Sequence, residues 1–265
     1  MIKKIMKVLK AIKMIALNPW LLNTIINQNE EWQKKTSFKN GLPQVSLEDL
    51  FPGFSIKLDQ FSFLGGGSLP TDIALLKGLC KKVNDCIYFE IGTWRGESVV
   101  NVYQEAKECY TLNLSKKQII ELGFGENYAN AHFFFSKDLE NVTQLEGDSK
   151  TFDYSKLKKM DVIFIDGNHH YDYVKSDTQK VFNHLMHDDT VVVWHDYAFS
   201  PENVRFEVLN GILDGIPKEK QGQLFHVENT LCAIYLPHHK KSNCFLKAYD
   251  NPKSVFEIDI TYKKI

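Results

Sequence analysis

The chain has 265 residues, of which 43% are hydrophobic and 25% charged, so it can bury a core without disulfides or metal staples. Thirty-two basic residues balance 33 acidic ones, and a formal net charge of -1 counts against a nucleic-acid partner. An aromatic share of 12% argues against a disordered chain. The five cysteines form no CxxC pair and their number is odd, which predicts reduced, buried thiols in a cytoplasmic protein.

The N-terminal segment is the one region with a strong charge bias. Residues 1–29 contain no acidic residue, and residues 1–22 have the pattern of an amphipathic helix with lysines on one side. The lysines are Lys3, Lys7, Lys10 and Lys13. Lys10 and Lys13 interrupt the apolar stretch and no small-residue cleavage site follows, which argues against a secretory signal. No apolar run approaches the roughly 18 residues that a bilayer span needs. Two interpretations stay open. In the first, the helix binds another surface, either an anionic membrane at its inner face or a partner. In the second, it packs on the protein's own core.

Short apolar runs alternate with amphipathic stretches from residue 69 onward, which is typical of a parallel sheet covered by helices. Strands are predicted at 86–91, 109–114, 142–146, 161–165 and 190–194. Helices are predicted at 72–82, 96–106, 116–122, 171–186 and 201–213. Residues 224–227 and 231–236 predict an antiparallel hairpin, and the alternation at 255–260 predicts an added edge strand. The chain therefore divides into an extension of helix and loops (1–68), a main domain (69–236) and a tail (237–265).

The turn after the first predicted strand, from Glu90 to Ser98, contains two glycines. Open parallel sheets bind ligands at the carboxyl ends of their strands. Gly92 allows close approach to the backbone, and Gly96 allows the next helix to begin beside the strand. The Glu90 carboxylate would repel a pyrophosphate and attract a cationic ligand that carries an amino acid group. This disfavours a dinucleotide.

Three segments together resemble the motifs of class I S-adenosylmethionine-dependent methyltransferases: Phe89–Ser98, Gly147–Ser149 and Phe164–Tyr171. The resemblance is to the small-molecule O-methyltransferase branch, which is similar to macrocin-type enzymes and cephalosporin hydroxylase-like proteins. It covers roughly residues 70–236. It implies an α/β fold, a Rossmann-like doubly wound seven-stranded sheet with an antiparallel C-terminal hairpin, here preceded by an N-terminal helical extension.

The resemblance implies S-adenosyl-L-methionine as cofactor. The cofactor contacts it implies are Glu90, Gly92, Thr93, Trp94, Gly96, Ser98, Asn113, Asp148, Ser149 and Asp166. The first glycine turn would face the methionine part, and Asp148 with Ser149 would hold the adenine. Asn113 stands where the family usually has an acid for the ribose, and an amide lacks the charge-assisted strength of a carboxylate.

Polar residues directly follow two of the predicted strands: Asp166 follows 161–165, and His195 with Asp196 follows 190–194. A carboxylate at the end of an apolar strand is costly without a cation nearby. The resemblance implies that Asp166, His195 and Asp196 hold Mg²⁺ or a similar ion. It also implies that His169, three residues beyond Asp166, is the catalytic base, with Asp166 as its catalytic partner. The alternative is that His169 and His170 are structural loop residues.

The function that the resemblance implies is O-methylation of a sugar, a glycan or another small hydroxylated metabolite. An NAD- or nucleotide-sugar-dependent enzyme is an alternative, although the G-x-G-x-x-G motif is missing. A peripheral membrane protein that kept the fold without turnover is a second alternative. No motif identifies the acceptor or the oligomeric state.

Overall fold

The computed structural model describes residues 2–18, 28–239, 244–246 and 251–265. Its centre is a sheet of eight strands. They are β1 (Gln44–Val45), β2 (Ile87–Ile91), β3 (Glu108–Asn113), β4 (Val142–Glu146), β5 (Val162–Ile165), β6 (Val191–Trp194), β9 (Leu224–Val227) and β10 (Ala233–Tyr235). A separate pair is formed by β7 (Ala198–Ser200) and β8 (Asn203–Val204). The spatial order in the large sheet is β1-β9-β10-β6-β5-β2-β3-β4.

The five strands β4, β3, β2, β5 and β6 are all parallel, in the doubly wound order predicted from the sequence. Strand β10 is antiparallel to both β6 and β9, so the predicted hairpin closes the sheet. These seven strands confirm the predicted fold. The eighth strand, β1, comes from the N-terminal extension and pairs in parallel with β9, Gln44 with His226 and Val45 with Val227. Two residues are too few to show a strand periodicity in the sequence.

The α-helices of the described residues are Ile2–Leu17, Gln28–Lys35, Leu47–Leu50, Pro70–Lys81, Val99–Val102, Lys116–Glu121, Glu126–Ala131, Tyr171–His184 and Phe206–Gly215. The helix predicted over 96–106 is reduced to Val99–Val102, because Gly96 has a φ of +83° that no helix contains. The helix predicted over 201–213 begins at Phe206, because the preceding residues form a turn and β8. The short helix Glu126–Ala131 is not predicted from the sequence.

The core lies on both faces of the sheet. On one face, the helices Tyr171–His184 and Phe206–Gly215 bury Val181, Leu209 and Ile212 against the strands. On the other, Pro70–Lys81 buries leucines against β2 and β5. Each such side chain contributes roughly 1.5–3 kcal/mol when it is fully removed from water. This packing fixes the strand ends at which the candidate site lies.

The N-terminal helix Ile2–Leu17 is not packed on the core. Its large apolar side chains from Ile5 to Leu17 are between 48% and 70% exposed, apart from the half-buried Ile15. The interpretation of a core-packed helix is therefore wrong for the described residues. Among the described helices, none combines the length and the hydrophobicity that crossing a bilayer requires. The predicted helix beyond Asn18 lies largely outside the described residues.

Two further expectations are corrected. Residues 251–265 form no strand, so the edge strand predicted at 255–260 is wrong, and the strand added beyond the hairpin is β1. Four cysteines are buried and free as predicted, but Cys244 is exposed. The division of the chain at residues 68 and 236 stays a prediction, although β1 shows that the extension contributes to the sheet.

Candidate functional site

The loops after the parallel strands are tied to one another at one edge of the sheet. The Gly92 amide donates to the carbonyl of Leu112 at the end of β3, and the Gly147 amide donates to the carbonyl of Asn113, both at 2.9 Å. On the other side of β2, the Asp166 amide donates to the Ile91 carbonyl at 2.8 Å. Most predicted site residues therefore lie along a single edge, as the parallel order requires.

Glu90 is fully buried at the end of β2. Its Oε2 accepts hydrogen bonds from the Tyr88 and Ser98 hydroxyls, each at 2.7 Å, so Ser98 positions this carboxylate. Burial, only partly offset by these hydrogen bonds, raises the pKa of Glu90 to about 7. Its other oxygen, Oε1, is buried and receives no well-aligned hydrogen bond from the described residues, although the neighbouring Thr93 hydroxyl also favours the charged carboxylate.

The residues that follow Glu90 in the same turn also carry buried polar atoms without a partner in the described part of the chain. They are Thr93 Oγ1, Trp94 Nε1 and Arg95 Nε. Buried polar groups in folded proteins are nearly always hydrogen-bonded, and exceptions mark a ligand or another unaccounted partner. The turn therefore has the polar groups of a ligand cradle.

The two glycines of the turn are required by close contacts within the protein, which the sequence does not show. Gly92 has a φ of +92°, and a Cβ there would lie 2.0 Å from the Asp166 carbonyl oxygen. Gly96 has a φ of +83°, and its Cβ would lie 2.7 Å from Ser136 Oγ. A side chain at Gly92 would collide with the loop after β5, so the fold itself requires glycine here, in addition to any ligand that approaches the backbone.

Trp94 belongs to an aromatic cluster beside the turn. Its ring centroid is 4.4 Å from that of Tyr128 and 4.8 Å from that of His132. The Asn113 side-chain amide donates to His132 Nδ1, and burial lowers the pKa of His132. No motif in the sequence predicts that His132 stands beside Asn113, since the histidine lies on the segment that joins β3 to β4.

Asp148 and Ser149 are half-buried in a turn after β4. Asp148 Oδ1 accepts from the Lys150 amide at 2.9 Å, and the Asp148 carbonyl accepts from the Thr151 amide at the same distance. These contacts are those of an ordinary turn. They leave Asp148 Oδ2 outside the turn's own hydrogen bonds.

His195 lies between two carboxyl groups and is 8% exposed. Its Nδ1 is 3.0 Å from Asp166 Oδ1, and its Nε2 is 3.0 Å from Asp72 Oδ2. Burial opposes a charged ring, but the carboxyl groups of Asp166 and Asp72 raise the pKa of His195 well above its ordinary value. His195 is therefore a cationic partner of Asp166 within the chain, so the cost of burying this carboxylate does not by itself require a metal ion.

Asp72 is not among the site residues predicted from the sequence. It is fully buried in the first turn of the helix Pro70–Lys81, where the Leu69 amide donates to its Oδ2 at 2.6 Å. An aspartate at this position of a helix looks like an ordinary capping residue. The sequence holds no sign that it also contacts His195.

Asp196 has a φ of +54°, and its carboxylate contacts three basic side chains. Its Oδ2 is 3.5 Å from His169 Nδ1 and 3.9 Å from His195 Nδ1, while Oδ1 is 3.7 Å from Arg205 Nη1. Burial opposes ionisation, but these side chains hold the pKa of Asp196 below its usual value. The His169 side chain is 44% exposed and lies at the rim of the site. His170 points elsewhere, with Nδ1 3.2 Å from Glu207 Oε1.

Part of the N-terminal extension crosses the glycine turn, which the sequence did not predict. Glu97 Oε1 accepts from the Ser62 amide at 2.9 Å, and Arg95 Nη2 is 3.3 Å from the Gly65 carbonyl oxygen. Arg95 and Glu97 also form an ion pair at 3.2 Å. These bonds pin residues 62–65 over the turn and leave the Phe63 side chain 69% exposed.

Comparison with solved structures gives similar chains at low identity. A Podospora anserina methyltransferase with bound S-adenosylhomocysteine is 17% identical, with a TM-score of 0.45 over 64% of this chain and 80% of that chain. A TDP-rhamnose 3'-O-methyltransferase of calicheamicin biosynthesis is 12% identical, with a TM-score of 0.45 over 64% of this chain and 80% of that chain. TM-scores below 0.5 do not establish a shared fold, so the fold rests on the strand order itself. A comparison with curated proteins gave no match.

A protein-family model described as a methyltransferase domain matches residues 89–197. The matched stretch begins at the last residues of β2, contains the glycine turn and Asp166, and ends one residue beyond Asp196. The resemblance to class I S-adenosylmethionine-dependent methyltransferases is thereby confirmed, and residues 89–197 of this chain carry it.

Proposed function

We propose that the protein transfers the methyl group of S-adenosyl-L-methionine to a hydroxyl of a sugar, a glycan or another small hydroxylated metabolite. The observation that carries the proposal is the buried, unpartnered Glu90 Oε1 in a turn that holds three more such atoms. An ammonium group is the donor that a buried carboxylate oxygen favours most, and the cofactor carries one beside its sulfonium. A pyrophosphate would meet the same carboxylate with like charge.

Each remaining part of the cofactor has a suitable chemical partner along the sheet edge. The Trp94 ring, beside Gly92, can face a sulfonium through a cation–π contact. Asn113 can accept from a ribose hydroxyl, and Asp148 with Ser149 can meet an adenine amino group. When bound, S-adenosylmethionine supplies a methyl group on a positively charged sulfur. The protein's own contribution is then to hold the acceptor in line and to remove one proton.

His169 is the proposed base for that proton. Its Nδ1 is 3.5 Å from Asp196 Oδ2, which leaves Nε2 of this half-exposed ring to accept a proton from an acceptor hydroxyl. Asp196 holds the ring and stabilises the charge that it acquires. The contact between His169 and Asp196 supports this role over that of a passive loop residue.

A divalent ion, Mg²⁺ or a similar cation, is the proposed second element. One ligand atom from each of Asp166, His195 and Asp196 lies within 4.8 Å of the others, close enough to share one ion. The donor set fits an ion that displaces the proton between His195 Nδ1 and Asp166 to solvent, since a ligating histidine must be neutral. Such an ion would lower the pKa of an acceptor hydroxyl near His169.

Calorimetry with S-adenosylhomocysteine and with NAD tests the cofactor. We expect saturable binding of S-adenosylhomocysteine, weakened by Glu90→Gln, and no binding of NAD. Saturable NAD binding without a response to S-adenosylhomocysteine would refute the proposal. Methylation of the acceptor class is then assayed by transfer of labelled methyl groups to panels of sugars and glycans.

We further infer that the helix Ile2–Leu17 contacts an anionic membrane surface. Its apolar face is exposed, and Lys4, Lys7, Lys10 and Lys13 are exposed as well, with no acid in the segment to neutralise them. Each lysine near such a surface contributes on the order of 1 kcal/mol. A core-packed helix would not leave both faces in water.

Vesicle flotation tests this contact with the full chain. Lys7→Glu with Lys10→Glu should abolish flotation on vesicles containing phosphatidylserine at low salt. The matched control, Lys116→Glu with Lys117→Glu on another helix, should leave flotation unchanged. Flotation equal in all three proteins, or equal on neutral vesicles, contradicts the inference.

A further inference from the structure

We propose that Asp72 is a positioning residue that fixes His195 as a metal ligand through a hydrogen bond to Nε2. The inference rests on the metal centre of the proposed function and names a residue outside its ligand set. Asp72 and His195 are 123 positions apart in the sequence, and the Oδ2 to Nε2 distance is 3.0 Å. Both side chains are buried, at 0% and 6% exposure.

The Asp72 carboxylate is itself rigidly held. Its Oδ2 accepts from the Leu69 amide at 2.6 Å, and its Oδ1 accepts from the Leu231 amide at 2.8 Å. The Cys232 thiol lies 3.6 Å from Oδ1 as a weak third donor. Both oxygens are therefore used as acceptors, so this carboxyl group can only accept from His195. The bond joins the start of the helix Pro70–Lys81 and the β9–β10 hairpin to the site.

The bond determines which nitrogen of His195 faces the other carboxylates. When a metal ion displaces the Nδ1 proton to solvent, the hydrogen that Nε2 donates to Asp72 stays in place, and the Nδ1 lone pair then faces the ion beside Asp166 Oδ1 at 3.0 Å and Asp196 Oδ2 at 3.9 Å. The Phe164 ring also packs against the imidazole in a T-shaped arrangement, with centroids 5.9 Å apart. A histidine that ligates a metal characteristically donates its other N–H to a carboxylate, which fixes the tautomer and strengthens the ligand.

A site of one imidazole nitrogen and two carboxylate groups suits a divalent ion that accepts both nitrogen and oxygen ligands. By the general affinity order of such sites, Mn²⁺ should bind at least as tightly as Mg²⁺. Mn²⁺ is therefore the probe for the test, since its free form is measured directly by electron paramagnetic resonance.

The test measures Mn²⁺ affinity of the full chain and of Asp72→Asn. We expect the variant to bind Mn²⁺ about 10–100-fold more weakly, the usual effect of removing such an outer partner. Thr71→Ala is the matched control: Thr71 ties the same helix start to Asn229 at 2.7 Å and makes no contact with His195, so Mn²⁺ affinity should not change. In a His195→Asn background, Asp72→Asn should have less than a twofold effect, because its action passes through His195.

Four results would overturn the inference. Equal Mn²⁺ affinity of the native chain and Asp72→Asn removes the role of Asp72 while the metal centre stands. An undiminished effect of Asp72→Asn in the His195→Asn background shows that Asp72 acts on the fold and not through the imidazole. If the native chain binds no Mn²⁺, the proposed metal centre fails and the inference fails with it. Nitrogen NMR of the Mg²⁺-loaded native chain reads the tautomer without any variant, and a hydrogen on Nδ1 of His195 would also refute it.

Discussion

Replacing Glu90 by Gln should make the protein more stable and its cofactor binding weaker. The amide oxygen can still accept from the Tyr88 and Ser98 hydroxyls, and the amide nitrogen takes the place of the unpartnered Oε1. The difference between the ordinary pKa of 4.5 and the raised pKa of about 7 corresponds to roughly 3 kcal/mol of unfavourable charge burial above pH 7. The variant escapes this cost.

The sign of the pH dependence follows from the raised pKa. The neutral carboxyl group stabilises the fold below pH 4.5, and that contribution is lost as the pH rises toward about 7. Urea unfolding at pH 5 and pH 8 should therefore show that the free energy of unfolding of Glu90→Gln exceeds that of the native chain by more at pH 8 than at pH 5. Glu108→Gln is the control of opposite sign, because a hydrogen bond from Lys158 lowers the pKa of Glu108.

Cofactor binding provides the second measurement on the same variant. Loss of a hydrogen bond from a charged group typically costs about 1.5–3 kcal/mol, or roughly 10–100-fold in affinity for S-adenosylhomocysteine. A variant no more stable than the native chain at pH 8, or equally favoured at pH 5 and pH 8, would refute the burial argument. Unchanged affinity for S-adenosylhomocysteine would remove Glu90 from the cofactor site.

Three further predictions concern the same edge of the sheet. Gly92→Ala should lower the free energy of unfolding by roughly 2–5 kcal/mol, because its Cβ would overlap the Asp166 carbonyl, and a thermal melt as stable as the native one would contradict this. His169→Ala should lower the turnover rate by about a hundredfold or more at unchanged S-adenosylhomocysteine affinity, and chelation should lower turnover in the same selective way; full activity after both changes would leave neither base nor metal in the mechanism. Asn113→Asp should tighten S-adenosylhomocysteine binding by about fivefold through a charge-assisted bond to the ribose, and calorimetry showing no gain would place the ribose elsewhere.

The sequence by itself determined the parallel sheet and most of its strands. A central parallel strand is covered on both faces, so Val162–Ile165 and Val191–Trp194 are continuous apolar runs that show their position without any tertiary information. The turn from Glu90 to Ser98 is equally local, since its glycines and carboxylate are adjacent in the chain. The helix after that turn begins later than the sequence predicts because Gly96 has a φ of +83°, at a position where a Cβ would meet Ser136 from a distant segment.

Only the tertiary structure decided which distant groups meet. The contact between Asp72 and His195, the crossing of the glycine turn by Ser62, and the pairing of β1 with β9 all join segments far apart in the chain. None of these contacts leaves a periodicity in the sequence, because each depends on the order of the strands and on which helix covers which face. A buried carboxylate that caps a helix and one that also orients a histidine look alike until the sheet brings that histidine to it.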